Sequence, residues 1–255
     1  MHLLIALVLT LSPVSATPTV TPSCHTAPAG VRITVPGFPD RPAFLQRAGK
    51  RSPLIVAFHG LHGCPAYLQT QTKLGAAAKK AGVSVLWVTA ANAPGGRAWD
   101  PNQIGYRYTR AAISAARSTG IRPSKLFALG MSNGAGMATW VTCTLHEFAG
   151  AIVVAGWSSP HCVGKSRQSL LVIGGQRDSS SGADTPRILA DMWRNRLQGC
   201  GKAKVTHSGR ATITVTRCGK TEVREASLAG VGHAWPLYRW FNATTQALQF
   251  VVRHK

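Results

Sequence analysis

The chain has 255 residues, 45% of them hydrophobic and 15% charged. That length and apolar content suit one large domain with a substantial core, and they exclude a disordered polar tail or a coiled coil. Lys and Arg number 29 against 8 Asp and Glu, a formal charge of +21, so anionic surfaces attract the chain. The basic residues are spread from Arg32 to Lys255, and their tightest groups are Lys79-Lys80 and Arg194-Asn195-Arg196. No basic stripe alternates with aromatics, and no zinc-finger or basic-zipper pattern occurs. The expectation is a solvated basic surface that adsorbs electrostatically to anionic material, with no specific nucleic-acid site.

His2 to Leu11 are almost all apolar and lead into Ser12-Pro13-Val14-Ser15-Ala16. This reads as a secretory signal spanning 1–16, despite the lack of a Lys or Arg beside Met1; a buried first strand is the alternative. A Pro/Thr-rich linker, 17–23, follows, and 24–255 reads as a single catalytic domain. No later run of 18 apolar residues suggests a membrane span.

Val31–Val35 alternates as a strand does. Pro53–Phe58 and Val83–Thr89 are apolar runs of the kind buried on both faces in a parallel sheet. Between them Tyr67–Ala81 reads as one helix that Gly82 ends. Ala90–Asp100 reads as a loop and Gln103–Ser118 as a helix. Strand Lys125–Leu129, helix Asn133–Leu145 and strands Ala149–Ala155 and Ser169–Ile173 follow. Helix Thr185–Leu197 has Pro186 in its first turn. Lys202–Thr206 and Ala211–Thr216 form a hairpin, Glu222–Leu228 is the last strand and Phe241–Arg253 the last helix. Alternating strands and helices predict a mostly parallel central sheet with helices on both faces. Functional loops then lie beyond the carboxyl ends of the strands.

Six cysteines in an exported chain imply disulfides. Pairing in sequence order is expected: Cys24–Cys64, Cys143–Cys162 and Cys200–Cys218, the last stapling the hairpin. A zinc site on Cys143, His146, His161 and Cys162 is the competing idea; an oxidising compartment disfavours it, so no metal is expected.

Gly130-Met131-Ser132-Asn133-Gly134 joins a strand to a helix. G-x-S-x-G in that context turns the chain tightly and lifts Ser132 above the sheet as a nucleophile, with the Asn133 N–H aimed at a developing oxyanion. A dinucleotide loop is excluded, because the cluster lacks a third Gly and an acid about 20 residues on. A serine nucleophile needs a base and an orienting acid, in the chain order Ser, acid, His. His59 and His62 are out of order. His233, in the Gly-rich segment Gly230–Pro236, is the candidate base. Asp178 follows a strand end through Gly174-Gly175 and is preferred as the acid to Asp184, which is the runner-up. A second oxyanion donor should come from His59-Gly60-Leu61-His62, with the N–H of Leu61 first and that of His62 second.

The segments FHGLHGC, GMSNGAGMATWVTCTLHEFAGAIVVAG, GGQRD and GVGHAWP together resemble the secreted α/β-hydrolases of the polyhydroxybutyrate depolymerase and feruloyl or acetylxylan esterase group, carbohydrate esterase family 1. The likeness runs from Cys24 to the C-terminus. It implies an α/β-hydrolase fold, a triad of Ser132, Asp178 and His233, Leu61 as an oxyanion donor and Trp235 as a wall of the substrate cleft. This sequence departs from the group in having Asn133 after the nucleophile and Gly95–Asp100 where many members carry a Cys-Trp-rich segment. It also has no extra substrate-binding domain. Trp99 is a further candidate cleft wall, or an anchor for its own loop, and Trp157 either edges the cleft or packs in the core.

The expected protein is therefore a secreted, monomeric serine carboxylester hydrolase without a cofactor. Its substrate would be a polyester or a feruloyl or acetyl ester of plant polysaccharide. A non-catalytic hydrolase-fold protein holding anionic wall or matrix is one rival, and a peptidase or acyltransferase on the same triad is another. A nucleophile, an acid and a histidine in the required order favour turnover.

Overall fold

The computed structural model describes residues 24, 26–157 and 168–254. The expected signal (1–16) and linker (17–23) lie outside the described residues. A ten-stranded sheet crosses the molecule. Its strands are β1 (Val31–Val35), β2 (Phe38–Gln46), β3 (Leu54–Phe58), β4 (Ser84–Val88), β7 (Leu126–Met131), β8 (Phe148–Val154), β9 (Ser169–Gly175), β10 (Lys204–Ser208), β11 (Ala211–Cys218) and β12 (Thr221–Leu228). The spatial order is β1-β2-β4-β3-β7-β8-β9-β12-β11-β10. The six strands from β4 to β12 run parallel, and antiparallel pairs flank them at both margins.

The helices are α1 (Pro65–Thr72), α2 (Leu74–Lys80), α3 (Gln103–Ser118), α4 (Asn133–Leu145), α5 (Thr185–Arg194) and α6 (Ala243–Arg253). They divide the core between the two faces of the sheet. In β3, Ile55 and Ala57 join a cluster with Leu74 of α2 and Phe250 of α6. Leu54, Val56 and Phe58 join the opposite cluster, with Tyr108 of α3 and Met137 of α4. This is the period-2 alternation of a strand covered on both sides, and it explains why β3 and β4 read as unbroken apolar runs. Among the described residues no helix is long and apolar enough to cross a membrane.

The structure departs from the sequence reading in three places. β2 was not anticipated, because Phe38-Pro39-Asp40-Arg41-Pro42 looks like a loop. Only Phe44–Gln46 of this strand pairs with β4, so its prolines lie where one side needs no ladder donor. The single helix expected over Tyr67–Ala81 is two, broken at Lys73 with φ +53°. There the Thr72 carbonyl accepts the Thr244 hydroxyl of α6, 172 residues away in sequence. The expected loop Ala90–Asp100 contains a small hairpin of β5 (Ala91–Ala93) and β6 (Gly96–Ala98).

Candidate active site

β7 ends at Met131, and Ser132 makes the turn into α4 with φ +54° and ψ −123°. A non-Gly residue is uncommon there, and such strain persists only where the surroundings enforce it. Here they do. A Cβ on Gly130 would sit 2.0 Å from the Gly134 carbonyl, and a Cβ on Gly134 would sit 2.2 Å from the Phe58 carbonyl. Only glycine lets the turn close this tightly and lets α4 approach β3. The Ser132 N–H donates to Val154 O at 3.0 Å, tying the turn to the end of β8. The Asn133 N–H lies in the first turn of α4, where N–H groups have no intrahelical acceptor.

Two strands further along, the loops after β9 and β12 are joined main chain to main chain. Gln176 N–H donates to Leu228 O at 2.9 Å and Arg177 N–H to Val231 O at 2.8 Å. Gly175 permits this, since a Cβ there would lie 2.1 Å from Val231 O. The result brings His233 Nδ1 to 3.0 and 2.9 Å from the two Asp178 oxygens. An ionised carboxylate only accepts, so Nδ1 carries the proton and Nε2 is left to accept. Asp178 is buried. Burial alone would raise its carboxyl, but hydrogen bonds from the Ser181 hydroxyl and N–H, with His233 adding to them, hold it below the ordinary carboxylate value. The Ser180 N–H also donates to it at 2.9 Å. Asp184 is elsewhere, with an exposed side chain 3.7 Å from Arg187. Ser132 lies on the same carboxyl edge of the sheet as this pair; among the described residues its hydroxyl makes no hydrogen bond to His233.

The loop after β3 faces the turn, with the place of a Cβ on Gly60 only 3.6 Å from Ser132 Cβ. The His62 N–H is already donated to Arg97 O at 2.7 Å, which removes the second of the two expected donors. The Leu61 N–H has no acceptor among the described residues. His59, fully buried, braces this loop. Its Nε2 accepts the Ala90 N–H at 3.2 Å, and its Nδ1 donates to Gly60 O at 2.8 Å. Burial, reinforced by the nearby Arg97 and Arg41, pushes its pKa down to about 4.

The tryptophans correct the sequence reading. Trp235 is 5% exposed, and its indole N–H donates to the Thr244 hydroxyl at 2.9 Å. Trp99 is 3% exposed and donates to His59 O at 2.9 Å. Both are interior struts: Trp235 is packed inside where a cleft wall was expected, and Trp99 anchors its own loop, the second of its two expected roles. Trp157 is the exposed one, at 43%, with its indole nitrogen 3.6 Å from the place of a Cβ on Gly136 in α4. Reasoning from sequence also missed what Asn133 does. Its amide accepts the Trp99 N–H at 2.7 Å and donates to Trp99 O at 3.0 Å, clasping the β6 loop to the residue after the nucleophile. The unusual Asn at this position was the available signal.

Cys24 is bonded to Cys64 and Cys200 to Cys218. Cys143 is also disulfide-bonded, so it is no thiolate ligand. Cys162 and His161 lie outside the described residues. Among the described residues no cluster of His, Cys, Asp and Glu is suited to a metal.

A mostly parallel sheet covered on both faces, with a serine at a strained strand-to-helix turn, defines the α/β-hydrolase fold. No family model and no curated protein sequence matches the chain. Solved structures do match in fold. An acetyl xylan esterase from Aspergillus awamori superposes with a TM-score of 0.67 at 14% identity, covering 84% of this chain and 94% of that one. The Est2 esterase of Thermogutta terrifontis, butyrate-bound, gives 0.64 at 13% identity, over 89% and 94%. A Bacillus cereus carboxylesterase gives 0.60 at 15%, over 84% and 94%.

Proposed function

We propose that this chain is an exported serine carboxylester hydrolase. Ser132 attacks the ester carbonyl while His233 Nε2 takes its proton. Asp178 fixes the imidazole tautomer and stabilises the imidazolium. The Leu61 and Asn133 N–H groups receive the oxyanion. His233 then protonates the departing alcohol, activates water and frees the acid. One observation supports this reading above the rest: a strained serine and a hydrogen-bonded Asp–His pair, its aspartate buried, lie along one edge of a single sheet. The fold neighbours, named as esterases, agree with it. The proposed substrate class is an acetyl or feruloyl ester of polysaccharide, or a polyester, approached past the exposed Trp157 and Leu61.

The test uses a fluorophosphonate probe with p-nitrophenyl esters of graded acyl length. Covalent labelling of Ser132, lost in Ser132→Ala together with turnover, is the expected result. A folded Ser132→Ala protein that keeps its ester activity would end the reading. Cleavage of p-nitroanilides in preference to esters would transfer the site to the peptidases.

A further inference from the structure

The structure collects charge that is dispersed in the sequence. In the antiparallel register Lys204 lies opposite Val215, which lies opposite Arg224, and Arg217 lies opposite Glu222. Residues directly opposite share a face, so this register builds a cationic face over β10, β11 and β12. Between it and α6 is a hollow of about 540 Å³, lined by Lys202, Lys204, Arg217, Arg224 and Arg253. Arg253 also lines a second hollow, of about 360 Å³, with Lys125, Lys220 and His254. Lys125 and Lys220 sit just before β7 and β12, so the second hollow opens at the amino ends of the strands, opposite Ser132.

Little negative charge answers these cations. Glu222, buried, is 2.9 Å from Arg224 and 4.0 Å from Arg217. Among the described residues no other ion pair includes any of them. No Phe, Tyr or Trp lines either hollow, and the one imidazole there, His254, already packs its ring 4.5 Å from that of Phe250 and bonds the Phe250 carbonyl, which leaves little platform for stacking bases. The apolar side chains of the larger hollow, Ile213 and Val215, are half-buried, so among the described residues the hollow itself offers no exposed apolar wedge to a bilayer. Thr206, Gln246 and Gln249 add hydroxyl and amide groups suited to sugar hydroxyls.

We propose that this paired basic surface docks a carboxylate-bearing polysaccharide and holds the protein on it with the opposite edge of the sheet free. The inference does not depend on the ester reaction, since binding is measured without turnover.

The experiment compares K204E/R217E/R253E with R32E/K79E/K80E, which has the same net charge, and with the parent protein. Folding of each is checked by its melting transition. A K204Q/R217Q/R253Q variant stands in if the reversal does not fold. Binding is measured to polygalacturonate, to its methyl-esterified form, to oligo-dT and to phosphatidylglycerol vesicles. The groove variant should bind polygalacturonate at least about tenfold more weakly, and its salt slope should fall by about one unit per cation removed, by analogy with polyanion counterion release. The control variant should lose less than about threefold, and the esterified polymer should bind neither. Equal losses in the two variants would show that net charge, not this surface, holds the polymer. Tighter binding of oligo-dT or vesicles than of polygalacturonate would overturn the choice of partner.

Discussion

The two ends of the same parallel strands are built on opposite terms. At the carboxyl ends the chain is contorted: Ser132 and His62 have positive φ, and Gly130, Gly134 and Gly175 permit approaches no side chain would. Ionised groups there are tied down: Asp178 is enclosed by hydrogen bonds, and Arg41 and Arg97 donate to the Thr89 and Ala90 carbonyls. Along the β10–β12 margin the ladder runs in unbroken register, and there and at the amino ends Lys and Arg crowd together. Preorganised geometry needs a fixed backbone and a dry site, whereas long-range attraction needs only exposed charge. Separation lets each be altered without the other.

Substitutions at the carboxyl edge should therefore dominate activity. Ser132→Ala should lower kcat for a p-nitrophenyl ester by about 10⁵–10⁶ with the melting temperature retained. Asp178→Asn should cost about 10⁴ in kcat, whereas Asp184→Asn, at an exposed helix end, should change it less than about twofold; kinetics on both variants would expose a misplaced acid if the ranking reversed. Gly134→Ala should destabilise the fold by about 3 kcal/mol or more, since its methyl would overlap the Phe58 carbonyl. A denaturant midpoint close to the parent's would show that the turn is looser than described.

His59 gives the same edge an acid sensitivity. Its folded pKa, about 4, lies below the ordinary histidine value of 6.5. As pH falls from about 6.5 to 4 the unfolded chain takes up a proton that the folded chain refuses. Stability is lost through that window, by about 3 kcal/mol at most. Urea unfolding across it should show this fall, and His59→Gln should flatten it; parallel pH profiles for the two proteins would assign the loss elsewhere. The smallest effect belongs to the other edge. Raising salt from 0.05 to about 0.5 M screens exposed charge and should change turnover of a neutral ester less than about twofold. A large salt effect on that substrate would mean that the basic surface reaches the chemistry.

The legible parts of the sequence were those set by short-range pattern. The turn at Ser132 could be read because two glycines and an apolar strand lie within a few residues of it. Helix α3 matched expectation because its apolar periodicity and its stop signals, Gly120 and Pro123, are local, and α4 because the glycine turn that starts it is. What escaped depends on partners far away in sequence. Lys73 breaks a helix because Thr244 takes the Thr72 carbonyl. Trp235 reads as a cleft wall and Trp99 as a wall or a loop anchor, because the residues that receive their indole N–H groups, Thr244 and His59, become neighbours only in the fold. The basic surface was invisible for the same reason, since Lys204, Arg224 and Arg253 meet only through strand register and the packing of α6.

The bond between Cys24 and Cys64 has a consequence for when the protein becomes competent. It closes a span of 40 residues, worth roughly 4 kcal/mol in the loop-entropy account, and Cys64 directly follows the Gly60–Gly63 loop whose Leu61 N–H has no acceptor among the described residues. Oxidation therefore does more than strengthen the domain: it anchors the loop that would receive the oxyanion. A chain still reduced would possess the serine, the histidine and the aspartate and yet hold that loop by fewer restraints. On the proposed reading, full activity would then follow formation of this bond, and a chain kept reduced would be the less active form.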